Sequence, residues 1–172
     1  FAEMGMLGGM GTSSIENELG ILKSKRLMTN VVKELNLNLR YFQEGTIKTT
    51  ELYDDKPFNV QVLAFDNEGF EHLEEIEPLL IEILTDSTYL ASIKETGFRK
   101  KMNFGESLSL PFAEILVTPN FTERSQIKGS LEKGPIRVTF STVDATTSQY
   151  REKLQINLTD KNSSLIELSL ED

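Results

Sequence analysis

The sequence predicts an α+β fold in which a mostly antiparallel sheet packs against one long N-terminal helix and a second, shorter helix. Three observations lead there. The stretch from Ser14 to Leu35 is rich in Glu, Leu, Lys and Arg, all good helix formers, and contains no proline. After it the apolar period falls from 3.6 to 2, as in Phe58, Val60, Val62 and Ala64 with Asn59 and Gln61 between them. Short alternating runs then recur to the end of the chain, the pattern of antiparallel strands with one wet face.

Residues 1–12 carry glycine at positions 5, 8, 9 and 11 without any period, and backbone entropy marks them as a flexible lead-in to a single domain over 13–172. Ser13 with Glu16 three residues on has capping-box form, so a helix should start there and end near Asn36 or Asn38. Thr46–Tyr53 and Phe58–Ala64, joined by Asp54-Asp55-Lys56-Pro57, read as a hairpin. Further strands are expected at Leu79–Leu84, Ala113–Thr118, Ile136–Phe140, Gln155–Leu158 and Leu165–Leu170. Between Phe140 and Gln155, Thr142–Lys153 lacks glycine and proline and follows Ser141 as a cap, so it reads as the second helix, and the strand-helix-strand order there allows a right-handed crossover.

Composition narrows the function. With 172 residues, 38% hydrophobic and 26% charged, the chain can bury a core without metals or cross-links. The absence of cysteine excludes thiol catalysis, cysteine–zinc sites and disulfides. A formal charge of −9 disfavours nucleic acid and anionic lipid as general partners, since both require a basic surface. No apolar run approaches the roughly 20 residues of a membrane span. The chain opens on Phe1 and stops at Asp172 straight after an alternating apolar run, so it reads as a piece of a longer protein.

Chemistry-bearing motifs are sparse. The nearest approach to a phosphate loop, Gly129–Pro135, puts proline where an amide donor is wanted. The single histidine, His72, would be flanked by Glu68 and Glu75 at i−4 and i+3 in a helix, but the surrounding acidic run reads as a solvated loop rather than a metal site. Paired carboxylates are as numerous as chance provides among 27 acidic residues. No catalytic residue, metal ligand or cofactor is therefore expected. Arg99, Lys100 and Lys101, in a turn-like setting beside Gly97, are candidate contacts for an anionic glycan or headgroup, although such a short basic stretch in an acidic protein is more often a solubilising turn. Asn120, Asn157 and Asn162 match the glycosylation triplet.

The long helix says more. At 100° per residue, Ile21, Met28, Val31, Val32 and Leu35 fall on one side as a core stripe, while Ile15, Leu19 and Leu22 fall opposite, followed by Arg26. A helix on a sheet needs only one apolar face. The second stripe is explained by a kink or loop cover, or by contact with a neighbouring chain, for which Ile15, Glu18, Leu19, Leu22 and Arg26 are the interface candidates.

The stretch Ser14-Ile15-Glu16-Asn17-Glu18-Leu19-Gly20-Ile21-Leu22-Lys23-Ser24 resembles the "I-x-N-E-I-x-I-L-K-S" opening of the chain-length-determinant family of bacterial polysaccharide co-polymerases. Tyr150–Ile156 and Lys161–Asp172 resemble that family's "Y-x-x-K-L … S-S-I-x-x-I-S-L-x-D" segment, in the form seen in exopolysaccharide tyrosine autokinases; Pro111-Phe112 and Thr118-Pro119-Asn120 fit the connecting pattern. Gly20 departs from the family's bulkier helix former. The resemblance implies a non-catalytic oligomerisation or regulatory domain on the periplasmic face of the inner membrane. Its parent would be anchored by flanking transmembrane helices, form homo-oligomers, and work with polysaccharide polymerase and export machinery in exopolysaccharide or capsule chain-length control. A kinase's ATP site would lie in a separate cytoplasmic domain, and none of its residues has a counterpart here. The rival reading is a glycan- or ligand-binding periplasmic module.

Overall fold

The computed structural model describes residues 15–44, 48–65, 76–120, 134–159 and 165–171. They divide into two compact units, one formed by both ends of the chain, 1–38 with 141–172, and one by the middle, 39–140. The glycine-rich lead-in, His72 with Glu68 and Glu75, and Asn162 lie outside the described residues.

The expectation of one long N-terminal helix on a sheet is overturned: the described residues are 48% strand and 23% helix, and among them are eleven strands and three short helices. Residues 15–22 form helix α1, and a second helix, α2 (Lys25–Glu34), starts after a break at residues 23 and 24. The break has a local cause. Ser24 adopts an extended backbone (φ −68°, ψ 139°) and its hydroxyl accepts from the Leu27 N–H, satisfying an amide that would otherwise lack a partner. Asn36, in the left-handed region at φ 51°, ends α2 where the sequence expects an end. Helix α3 (Val143–Lys153) is capped by Thr142, which accepts from the Ala145 N–H, rather than by Ser141. α2 and α3 pack together. Met28 and Val32 are buried on α2, Thr146 and Thr147 on α3, and the Thr147 hydroxyl donates to that of Thr29 at 3.4 Å. Strands β10 (Leu154–Leu158) and β11 (Ile166–Leu170) complete this unit as an antiparallel pair.

The middle unit is built on two antiparallel sheets. The larger has the order β2-β1-β9-β4-β5-β6, where β1 is Leu39–Glu44, β2 Thr49–Leu52, β4 Leu79–Ile83, β5 Thr88–Ile93, β6 Phe98–Asn103 and β9 Ile136–Phe140. The smaller has the order β3-β8-β7, with β3 Phe58–Phe65, β7 Ser107–Ser109 and β8 Ala113–Pro119. The expected hairpin between β2 and β3 does not form, because β2 pairs with β1 while β3 pairs with β8 in the other sheet. Nor is there a crossover around α3: β9 and β10 belong to different sheets, and every strand pairing among the described residues is antiparallel.

Alternation decides which side chains enter the core. Tyr41, Ile81, Tyr89, Ala91 and Val138 from the larger sheet join Phe58, Val60, Ile115 and Val117 from the smaller in one apolar cluster. Rings interlock within it: Tyr41 meets Phe58 edge-on at 5.9 Å and Phe112 meets Phe140 at 5.2 Å. The Tyr41 hydroxyl also accepts from the Val60 N–H at 2.9 Å, tying β1 to β3 through a buried polar contact. Gly105, at φ 82°, turns the chain after β6 so that its N–H donates to the Val117 carbonyl at 2.8 Å. The Tyr89 hydroxyl, by contrast, is buried without a hydrogen-bond partner among the described residues.

Candidate functional site

On α1, Ile15, Leu19 and Leu22 share one face at i, i+4 and i+7, and each is half-buried while Glu18 is exposed. Arg26 lies beyond the break, on α2, and is exposed, so it does not continue the α1 stripe as the unbroken wheel implied. The same break undoes the expected core stripe. Met28 and Val32 are buried, but Ile21 and Leu35 are each 62% exposed. Two helices of different phase cannot present one continuous face.

A second apolar surface lies on the β10–β11 pair. Register places Leu154 opposite Leu170, Ile156 opposite Leu168 and Leu158 opposite Ile166 on one face, with Gln155, Asn157, Glu167 and Ser169 on the other. Ile156 is buried, whereas Leu168 and Leu170 are each 56% exposed. Gln155 and Glu171 are hydrogen-bonded across this pair. Asn157 is exposed on its polar face, while the Asn120 side-chain amide donates to the Lys56 carbonyl at 3.0 Å.

Arg99, Lys100 and Lys101 lie in strand β6 at the edge of the larger sheet, not in a turn, and all three are exposed. The strand divides them. Arg99 and Lys101 share the solvent face, and Lys100 shares the face of buried Met102. Cations on an edge strand, one of them inward-pointing, discourage pairing with another sheet.

The solvent face of the larger sheet gathers the remaining charge. Direct Cα partners run across its six strands as Glu51, Phe42, Arg137, Leu80, Ser92 and Arg99. The guanidinium groups of Arg40 and Arg137 lie over the Phe42 ring at 5.0 and 4.8 Å. Arg40 is held by Glu51 through two hydrogen bonds, 2.7 Å from Nε and 2.6 Å from Nη2, and this contact holds the Glu51 carboxyl below its ordinary value. Arg137 is less committed. Its Nε is 3.9 Å from Glu44 Oε1, too far for a hydrogen bond, and that atom is shielded from solvent without a partner. Next to it, Glu44, Glu77, Pro78, Leu80, Lys94 and Arg137 line a cleft of about 150 Å³. This surface is hidden in the sequence because no apolar alternation marks residues 39–44 as a strand. Tyr41 and Phe42 point to opposite faces there, so no clean alternation announces β1.

Among the described residues no group of three or more His, Cys, Asp or Glu side chains converges as a metal site would require. No helix among them is long and apolar enough to cross a membrane. No family model matches the chain, and no curated protein is similar to it.

Proposed function

We propose that residues 13–172 form a non-catalytic oligomerisation and regulatory domain of a polysaccharide co-polymerase, on the periplasmic side of a bacterial inner membrane. The parent is a tyrosine autokinase acting in exopolysaccharide chain-length control and export, with its membrane spans and ATP site in other segments. One observation supports this reading above the rest. The two signature stretches, over their described residues 15–24, 150–159 and 165–171, are far apart in sequence, yet both belong to the unit made from the two chain ends, while the short connecting matches at 111–112 and 118–120 fall in the middle one. A chance likeness in two separate stretches has no reason to converge on one structural body.

Within that body Ile15, Leu19 and Leu22 offer a half-buried apolar stripe flanked by Glu18, suited to a neighbouring protomer. The test is the oligomeric mass of the full-length protein in detergent, for wild type and for Leu19→Glu and Leu22→Glu. Replacing a leucine of this stripe by a charge should leave the 172-residue chain folded and weaken assembly by at least about tenfold per interface. An unchanged oligomer refutes the assignment. So does loss of folding, which would make the stripe internal core.

A further inference from the structure

We infer that the cleft on the solvent face of the larger sheet is a binding site for an acidic oligosaccharide, with Lys94 and Arg137 holding a carboxylate of the sugar chain. The choice of a saccharide rests on the polysaccharide role proposed above; the site itself rests on its own chemistry. Its positive side is only partly committed, Arg137 to the Phe42 ring and a long ion pair with Glu44. Lys94 is exposed and makes no ion pair with any described residue, and Arg137 carries a shielded Nε whose nearest carboxylate is 3.9 Å away. The Arg137 side chain is 33% exposed, so a carboxylate in the cleft meets the outer part of its guanidinium rather than the shielded Nε. By contrast, Arg40 at the other side of Phe42 is already engaged by Glu51 and is not part of the site.

The other lining groups select among anions. Glu44 and Glu77 add negative charge to the cleft, which opposes a dense polyanion but provides acceptors for hydroxyl groups. Pro78 and Leu80 give an apolar patch between the charged groups. Cations for a sparse acid group, carboxylates for hydroxyls and an apolar patch for a ring's C–H face together describe a polyhydroxylated ring bearing an occasional carboxylate. A nucleic acid or a compact phosphate cluster would meet Glu44 and Glu77 with only Lys94 and Arg137 to offset them. Beyond the cleft, Arg99 lies in the same cross-strand row as Leu80 and Arg137, and Lys101 is its neighbour on that face. Leu80 and Ser92 separate Arg137 from Arg99 in that row, so an extended chain would meet cations at its two ends, on β9 and on the edge strand β6.

The experiment is a titration of the 172-residue chain with a short oligogalacturonate, followed by amide chemical shifts and calorimetry, with a neutral maltooligosaccharide and inorganic phosphate as parallel probes. Saturable binding of the oligogalacturonate is expected, with shifts around Lys94, Arg137 and Arg99, weakening with added salt. Lys94→Gln and Arg137→Gln should each weaken it about tenfold, the loss expected for one charge-assisted contact. Should Arg137→Gln disturb the central strand, exposed Lys94→Gln decides alone. Failure to bind, equal binding of the neutral oligosaccharide, full displacement by phosphate at matching concentration, or indifference to Lys94→Gln overturns the inference. None of these outcomes touches the oligomeric mass of the parent, which tests the proposed function separately.

Discussion

The Tyr89 hydroxyl offers a sharp test of how the core of the middle unit is built. The side chain is fully buried, its ring packs 5.1 Å from that of Phe104, and its oxygen has no hydrogen-bond partner among the described residues. An unsatisfied buried hydroxyl costs about 1–3 kcal/mol of desolvation, whereas deleting one oxygen leaves a gap too small to cost as much. Tyr89→Phe keeps the ring contact and removes the orphan. The variant should therefore be more stable than wild type by about 1 kcal/mol, seen as a rise of roughly 2–4 °C in Tm for a chain of this size. The pH dependence gives a second reading. Burial, with Glu106 adding repulsion, pushes the Tyr89 phenol up from 10.0 to about 12. Because the unfolded chain releases this proton first, wild type loses stability as pH rises from 10 towards 12, and the variant should lose less. Thermal melts by circular dichroism at neutral pH and between pH 9 and 12 measure both effects. A variant less stable than wild type by 1 kcal/mol or more would refute the reasoning, since the hydroxyl would then have a partner, such as an enclosed water, worth keeping.

Two further predictions follow from local contacts. Ser24→Ala removes the α2 cap and should cost about 1 kcal/mol in a urea melt; a neutral result would mean that the Leu27 N–H finds another acceptor. Glu51→Gln should cost no more than about 1 kcal/mol at neutral pH, because the Arg40 partner is half exposed. The wild-type contribution is present above pH 4.5 and lost as pH falls through the lowered Glu51 value, so the difference between the two proteins should vanish in acid.

Much of the β structure was legible from alternation. Leu79–Ile83, Ala113–Pro119 and Ile136–Phe140 each put one apolar set inward and a mixed set outward, which is the signal that sequence reading uses. The strands that escaped it break that rule. In β5, outward Leu90 sits between inward Tyr89 and Ala91, and in β6 the run Arg99-Lys100-Lys101 hides a strand held by Phe98 and Met102. The helix break escaped for a different reason. Serine is tolerable inside a helix, and Ser24 is followed at the third position by Leu27 rather than by the glutamate that would mark a cap. In α3 the buried residues are threonines, so apolar periodicity could not show which face turns inward. The candidate cleft was invisible because Glu44, Glu77, Lys94 and Arg137 meet only through the order of the strands, a long-range property that local pattern does not encode.

The division of the chain has a consequence for how it is made. Asn38 and Ser141, where the outer unit leaves off and resumes, are joined by a hydrogen bond from the Ser141 N–H to the Asn38 carbonyl at 2.9 Å and by a longer one from the Asn38 amide to the Ser141 carbonyl. Synthesis from the N-terminus supplies every residue of the 39–140 unit before α3 or the β10–β11 pair exists. Helix α2 therefore cannot pack on α3 until the whole 39–140 stretch has been made. Once that stretch has folded, the two strand ends that it holds, Leu39 and Phe140, are direct cross-strand partners. A long disordered loop has become a short rigid clasp, and the entropic cost of bringing α2 and α3 together falls accordingly.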